Sequence, residues 1–259
     1  MNNNSNKLGI YELNKIYNED CYQAIKSIPD KSIDLIVIDP PYELETHGGG
    51  NSNLAKQIQA QHKELYDNNL HIGIKTELLE CLCNKMKKIN ICIFCNKKQI
   101  YQYLEFFNKK NCLFDLISWH KINAIPNYSC KYMIDTEYCL IFRKGKEMNK
   151  ESENYDLRKT WYLEPINVKD KDLYGHPTIK PLELVKKLIL NHSYKNEIVL
   201  DCFMGSGTTA VACKELNRNF IGFELDKKYY EIACNRLKGL TQQDVKLQKE
   251  GQMTLFDEV

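Results

Sequence analysis

Four consecutive residues, Asp39-Pro40-Pro41-Tyr42, end the apolar run IDLIVI, and their types could do chemistry. Proline fixes the backbone and has no N–H, so this end is rich in acceptors and poor in donors. A carboxylate and open backbone carbonyls beside an aromatic ring suit the grip of an exocyclic amine, with its flat base stacked on Tyr42. The bland alternative is a hard strand stop. A second stretch, EIVLDCFMGSGTTA, carries an apolar run into Asp201 and then a turn with Gly205 and Gly207. Glu224 closes the next apolar run, nineteen residues beyond Gly205. Glycines let a ligand approach the backbone, and a carboxylate at that distance can accept hydrogen bonds from ribose hydroxyls. An adenosine-containing cofactor beside an amine is the chemistry indicated. GSGTTA also fits the dinucleotide fingerprint, so a nicotinamide-dependent oxidoreductase is the rival. About fifty residues follow Gly205, few for the rest of a two-lobed dinucleotide sheet and a substrate domain.

Positioning such residues requires an alternation of strands and helices, and the chain has one. Strand patterns fall at 15–18, 33–38, 90–95, 113–119, 137–142, 197–202 and 219–224. Helical patterns lie between most of them: CYQAIKSI, TELLECLCNKMKKI, KKQIYQYLEFF, LELVKKLILNH, TTAVACKEL and KKYYEIACNRL. This predicts an α/β fold, a doubly wound, mostly parallel seven-stranded sheet. No helical pattern separates 113–119 from 137–142, which predicts one antiparallel pair. Ligands bind beyond the carboxyl ends of such strands, where Asp39 and Asp201 lie. Three stretches stand outside the alternation: 43–74, polar and long enough for a mobile loop; 145–175; and the polar tail from 240 to 259.

Composition bounds the reading. The 259 residues are 43% apolar and 27% charged, with a formal charge of +2, ordinary for a soluble globular protein. No run is long and apolar enough for a membrane span, and the start lacks a signal peptide's apolar core. Eleven cysteines, mostly inside apolar segments, fit reduced thiols in a cytoplasm rather than a disulfide framework. Cys81, Cys83, Cys92 and Cys95 have a spacing that could hold zinc, but they fall in helix and strand patterns and read as core, so no metal is expected. Bunched lysines, among them Lys85, Lys87 and Lys88, are a weak sign of a phosphate-facing patch.

Together these residues resemble the S-adenosylmethionine-dependent amino-methyltransferases of DNA, the N6-adenine and N4-cytosine family. NEDCYQAIKSIPDKSIDLIVIDPPY resembles the family's opening block and HPTIKPLELV (176–185) the block before the cofactor strand. DCFMGSGTTA resembles its cofactor loop and GFELDKKYY its ribose-binding turn. With Asp-Pro-Pro-Tyr first and the glycine loop last, the order is that of the permuted β-type. The resemblance implies one Rossmann-like methyltransferase domain over 1–259, S-adenosylmethionine as methyl donor without a metal, and double-stranded DNA with its target base flipped out. It implies Asp39, Pro40, Pro41 and Tyr42 as catalytic. For the cofactor it implies Asp20, Cys21, Asp39, Thr178, Lys180, Asp201, Phe203, Gly205, Ser206, Gly207, Thr208, Glu224 and Leu225. Among these, Asp20 contacts the cofactor's adenine, and Thr178 and Lys180 sit near its methionine end. ISWHKINAIPNYS is similar to a block lining the base pocket, with Trp119, Lys121 and Tyr128; a core Trp and a surface Lys are the plain alternative.

Within the family, Asp at the first motif position usually accompanies adenine and Ser cytosine, which implies N6-adenine with N4-cytosine as the alternative. An RNA amine methyltransferase shares much of this motif logic, and a catalytically silent DNA-binding relative is a further rival. The 145–175 segment occupies the family's slot for target recognition. Its shortness leaves a short site, help from the 43–74 loop, or a homodimer. The tail resembles the Gln-x-x-Leu-Phe peptides that dock on bacterial sliding clamps, through Gln252 to Phe256; packing of Leu255 and Phe256 on the domain is the alternative.

Overall fold

A computed structural model describes residues 6–42, 73–124, 132–149, 154–166, 168–175 and 179–250. Most of the 43–74 loop, Tyr128, Thr178 and the Gln252–Phe256 peptide lie outside the described residues.

A two-stranded antiparallel hairpin, β1 (Lys7–Leu8) and β2 (Tyr11–Glu12), precedes an eight-stranded sheet. The sheet strands are β3 (Lys15–Tyr17), β4 (Leu35–Ile38), β5 (Asn90–Cys95), β6 (Leu113–His120), β7 (Thr136–Arg143), β8 (Trp161–Leu163), β9 (Ile198–Asp201) and β10 (Asn219–Phe223), in the order β3-β10-β9-β4-β5-β7-β6-β8. All pairings are parallel except those of β7, which runs against both β5 and β6. The antiparallel 113–142 pair is therefore as expected, whereas seven strands become eight. The extra strand, β8, adds to the edge from within 145–175; three half-exposed residues give no alternation to read.

Nine α-helices are described: α1 (Cys21–Ala24), α2 (Thr76–Lys85), α3 (Ile100–Asn108), α4 (Tyr155–Arg158), α5 (Val168–Tyr174), α6 (Leu182–His192), α7 (Thr208–Glu215), α8 (Lys227–Leu237) and α9 (Gln242–Lys249). None is long and apolar enough to cross a membrane. The LIVI run of β4 is buried on both faces, as a central parallel strand must be. Ile36 and Ile38 join the core under α2 and α3 with Leu78, Leu82 and Phe107. Leu35 and Val37 join the core under α6 and α7 with Leu188 and Ala210. Cys83, Cys92 and Cys95 are buried core residues, and Cys81 packs at the edge of the same core as Cys83. Among the described residues no cluster of His, Cys, Asp and Glu could hold a metal ion.

Helix α9 falls in what reads as polar tail. Its start has a signal nonetheless: the Thr241 hydroxyl accepts from the Asp244 N–H, and the Asp244 carboxylate accepts from the Thr241 N–H, a capping box.

Candidate active site

The two strand ends expected to act together are neighbours. β4 pairs in parallel with β9, Leu35 beside Val199 and Ile36 beside Leu200, so Asp39 and Asp201 leave the same edge of the sheet side by side.

At the first end, the Asp39 side chain is 28% exposed as a whole, yet its Oδ1 is buried without a partner among the described residues. Oδ2 accepts from the Lys180 ammonium. Burial pushes the Asp39 carboxyl up, against the pull of Lys180. Pro40 is buried and Tyr42 half-buried. The expectation of open carbonyls fails at Pro41, whose oxygen accepts from Gln99 Nε2 at 3.2 Å.

The Tyr42 hydroxyl donates to Glu137 Oε2 at 3.1 Å. Glu137, from β7, also pairs with Lys121 at 2.6 Å and with Lys180 at 3.3 Å. Burial would raise its carboxyl, but the two ammonium groups win and hold it at about 2. For Lys180, burial opposes the charge, and the Asp39 and Glu137 carboxylates more than restore it, pushing it above the usual lysine value. Burial, then Asp39 and Glu137, pushes the Tyr42 hydroxyl well up, so it stays a neutral donor. The Lys180 ammonium also lies 5.4 Å from the centre of the Tyr42 ring and 5.3 Å from that of Phe94.

Glu137 and Gln99 escape the sequence reading. A carboxylate at the head of the apolar run EYCLIF is a usable signal, because buried carboxylates rarely occur without partners or function. Gln99 has none, since a polar residue just before a helix is ordinarily solvated. Lys121 is in the site and is not a surface lysine. Trp119 is core, its indole N–H donating to the Glu164 carbonyl at 3.0 Å.

At the second end, burial pushes the Asp201 carboxyl up to about 7, and its Oδ1 accepts the Phe203 N–H at 3.0 Å. Gly205 and Gly207 follow with φ +53° and +81°, the left-handed region that favours glycine. A Cβ on Gly207 would stand 3.0 Å from that of Ala233. Ser206 and Thr208 are buried in this turn. Glu224 reaches back over it: Oε2 accepts the Gly205 N–H at 2.7 Å and Oε1 the Asp226 N–H at 2.9 Å. Each carboxylate oxygen keeps a second lone pair, so hydroxyl donors remain acceptable there. Leu225 beside it is 58% exposed, an apolar surface for a flat ring.

Asp20 and Cys21 lie on the same rim. Asp20 caps α1 through the Tyr22 N–H at 2.9 Å, and the Cys21 thiol is buried against Cys202. Asn18, also absent from the sequence reading, ties this rim to the next one by donating to the carbonyls of Glu224 and Leu225. The turn with its glycines, its ring-sized apolar flank and its carboxylate fits the adenosine half of S-adenosylmethionine.

The family model described as DNA methylase, N6_N4_Mtase, matches residues 33–235. The type II methyltransferase M.HinfI of Haemophilus influenzae is 31% identical, covering 87% of this chain and 68% of the relative. M2.DpnII of Streptococcus pneumoniae is 30% identical over 92% of this chain and 98% of its own. Among solved structures, the M1.HpyAVI–SAM complex is 30% identical with a TM-score of 0.62, covering 86% of this chain and 99% of that one. The match spans both strand ends and the order in which they occur, and the chain belongs to the DNA methylase family.

Proposed function

We propose that this DNA methylase transfers the methyl group of S-adenosylmethionine to the exocyclic N6 of an adenine flipped out of double-stranded DNA. The observation that carries the reading is the buried, unpartnered Asp39 Oδ1 at a strand end adjoining the Gly205–Gly207 turn. The lone pair of an exocyclic amine is delocalised into its ring, so the nitrogen is a poor nucleophile. Accepting its two N–H groups on Asp39 Oδ1 and the Pro40 carbonyl favours a pyramidal nitrogen with an available pair. The Tyr42 ring holds the base by stacking, which offsets part of the few kcal/mol of unstacking. Lys180, clamped between Asp39 and Glu137, fixes the carboxylate's direction. When bound, S-adenosylmethionine supplies an electrophilic methyl group on its sulfonium.

Rate then comes from positioning and electrostatics rather than a strong base, and the methylated amine, acidic once it is cationic, releases its surplus proton through the Asp39 carboxylate to solvent. No thiol is needed as nucleophile; burial pushes Cys95, near Asp39 and Glu137, up to about 12. Asp20, Asp201, Phe203, Ser206, Thr208, Glu224 and Leu225 would hold the cofactor, with Cys21 and Thr178 alongside. Segment 145–175 would read the target with help from the 43–74 loop, and the enzyme would work in the cytoplasm beside its DNA, within a restriction-modification pair.

The test is incubation with S-adenosylmethionine and unmethylated genomic DNA, followed by mass spectrometry of the nucleosides. N6-methyladenine that vanishes with Asp39→Ala is the expected result. N4-methylcytosine would overturn the base assignment and keep the mechanism, and no methylated base from a protein that still binds the cofactor would move the substrate from DNA to RNA.

A further inference from the structure

Arg236, in the last turn of α8, is a buried cation with no part in the chemistry above. Desolvating a guanidinium costs several kcal/mol unless its donors are met, so its partners matter. Nη1 donates to Thr208 Oγ1 at 2.7 Å and lies 3.2 Å from Ser206 Oγ and 3.4 Å from the Ser206 carbonyl oxygen. Nη2 points the other way, to Asp170 Oδ2 on α5 at 3.4 Å. The ring of Tyr174, one turn further along α5, lies 5.1 Å from the guanidinium carbon. One planar group thus spans the glycine turn and α5.

Helix α5 is followed by Gly175, at φ +72°, where a Cβ would run into the Gln242 side chain of α9. That contact seats the end of α5 against α9.

We propose that Arg236 is a positioning residue that couples the cofactor turn to α5, so that one guanidinium holds the Ser206 and Thr208 hydroxyls in a fixed relation to that helix. The proposal rests on reading the turn as the S-adenosylmethionine site. Arginine suits this task because its planar fork serves acceptors on both sides at once; a lysine ammonium is a single point of charge.

The test is calorimetric titration of S-adenosylmethionine into the full chain without DNA, for wild type, Asp170→Asn, Arg236→Lys and the double variant. The melting temperature of each, free of cofactor, is measured alongside. Asp170→Asn, a change on α5 at a quarter-exposed side chain, is expected to weaken binding about three- to tenfold without altering the fold. Arg236→Lys is expected to weaken it about tenfold or more, and the double variant no further, because the second change acts through the first. Wild-type binding by Asp170→Asn, or losses that multiply in the double variant, would overturn the coupling. A lowered melting temperature with unchanged affinity would make Arg236 a structural pin only. If Arg236→Lys fails to fold, Asp170→Asn alone still decides. A wild type that does not bind the cofactor overturns the reading of the turn, and the proposal with it.

Discussion

Glu137 is held at about 2 by Lys180 and Lys121, so it is ionised at any working pH and serves as an anchor rather than a titrating base. Replacing it with Gln leaves two ammonium groups short of a carboxylate and loosens both Tyr42 and Lys180. We expect kcat to fall by roughly a hundredfold while S-adenosylmethionine affinity stays near wild type, because loss of positioning at the reacting group is costly. Titration calorimetry beside single-turnover kinetics checks this, and an equal loss in both would place Glu137 in the cofactor site. Tyr42→Phe keeps the ring and loses one hydrogen bond of about 1 kcal/mol, so a fall within tenfold is expected; Tyr42→Ala loses the stack and should fall much further. Asp39, Tyr42, Asp201, Gly205 and Glu224 stand at or just beyond the strand ends their motifs predict, because each motif pairs a residue type with such an end. Glu137 left a signal at the head of EYCLIF and Gln99 left none, and neither position shows the tertiary packing that brings it to the site from 50 or more residues away.

At the level of elements, the turn into α7 depends on Gly207. Alanine there would adopt a left-handed conformation and press on Ala233, at a cost of about 1–2 kcal/mol. A lower melting temperature and weaker cofactor binding are expected together, and an unchanged protein would mean the turn relaxes freely. At the opposite end of the sheet, burial holds His192 of α6 down to about 4, with Arg143, Arg158 and Lys146 adding to the effect and Asp115 opposing it. The unfolded chain therefore binds a proton that the folded one refuses between pH 6.5 and 4, and stability falls as pH falls through that window. Over the window the loss is roughly 3 kcal/mol, and His192→Leu should remove that part of the slope in urea titrations at pH 7.5, 6 and 5. Strands β3 to β7, β9 and β10 announced themselves by apolar runs. β8, α4 and α5 did not, since short, half-exposed elements take their shape from what they pack on. α9 was readable in principle from TQQD, but a polar helix has no apolar stripe to draw attention.

For the whole molecule, Phe114, Leu116, Trp161 and Leu163 share one sheet face beyond β7 and are all partly exposed among the described residues. Patches of this kind commonly mark an association surface. If the short 145–175 segment is compensated by a homodimer, light scattering should give twice the monomer mass, and Trp161→Ser with Leu163→Ser should return it to one chain. A monomeric wild type would leave recognition to a single copy. Pull-down on a sliding clamp, comparing wild type with Gln252→Ala, Phe256→Ala, tests the tail, and equal capture would remove the clamp from its partners. The parallel sheet and its reversal at β7 were foreseeable from the alternation of elements; the shared exposure of these four residues was not, because only the assembled sheet shows which side chains lie on one face. The pairing of β4 with β9 has a consequence for how the protein is made. These strands lie about 160 residues apart, so during synthesis one edge of β4 stays open until residues beyond 200 have left the ribosome. A nascent chain therefore cannot modify anything: the two halves of its site meet only when β9 slots into the middle of the sheet, and until then that open edge is a surface for chaperones to guard.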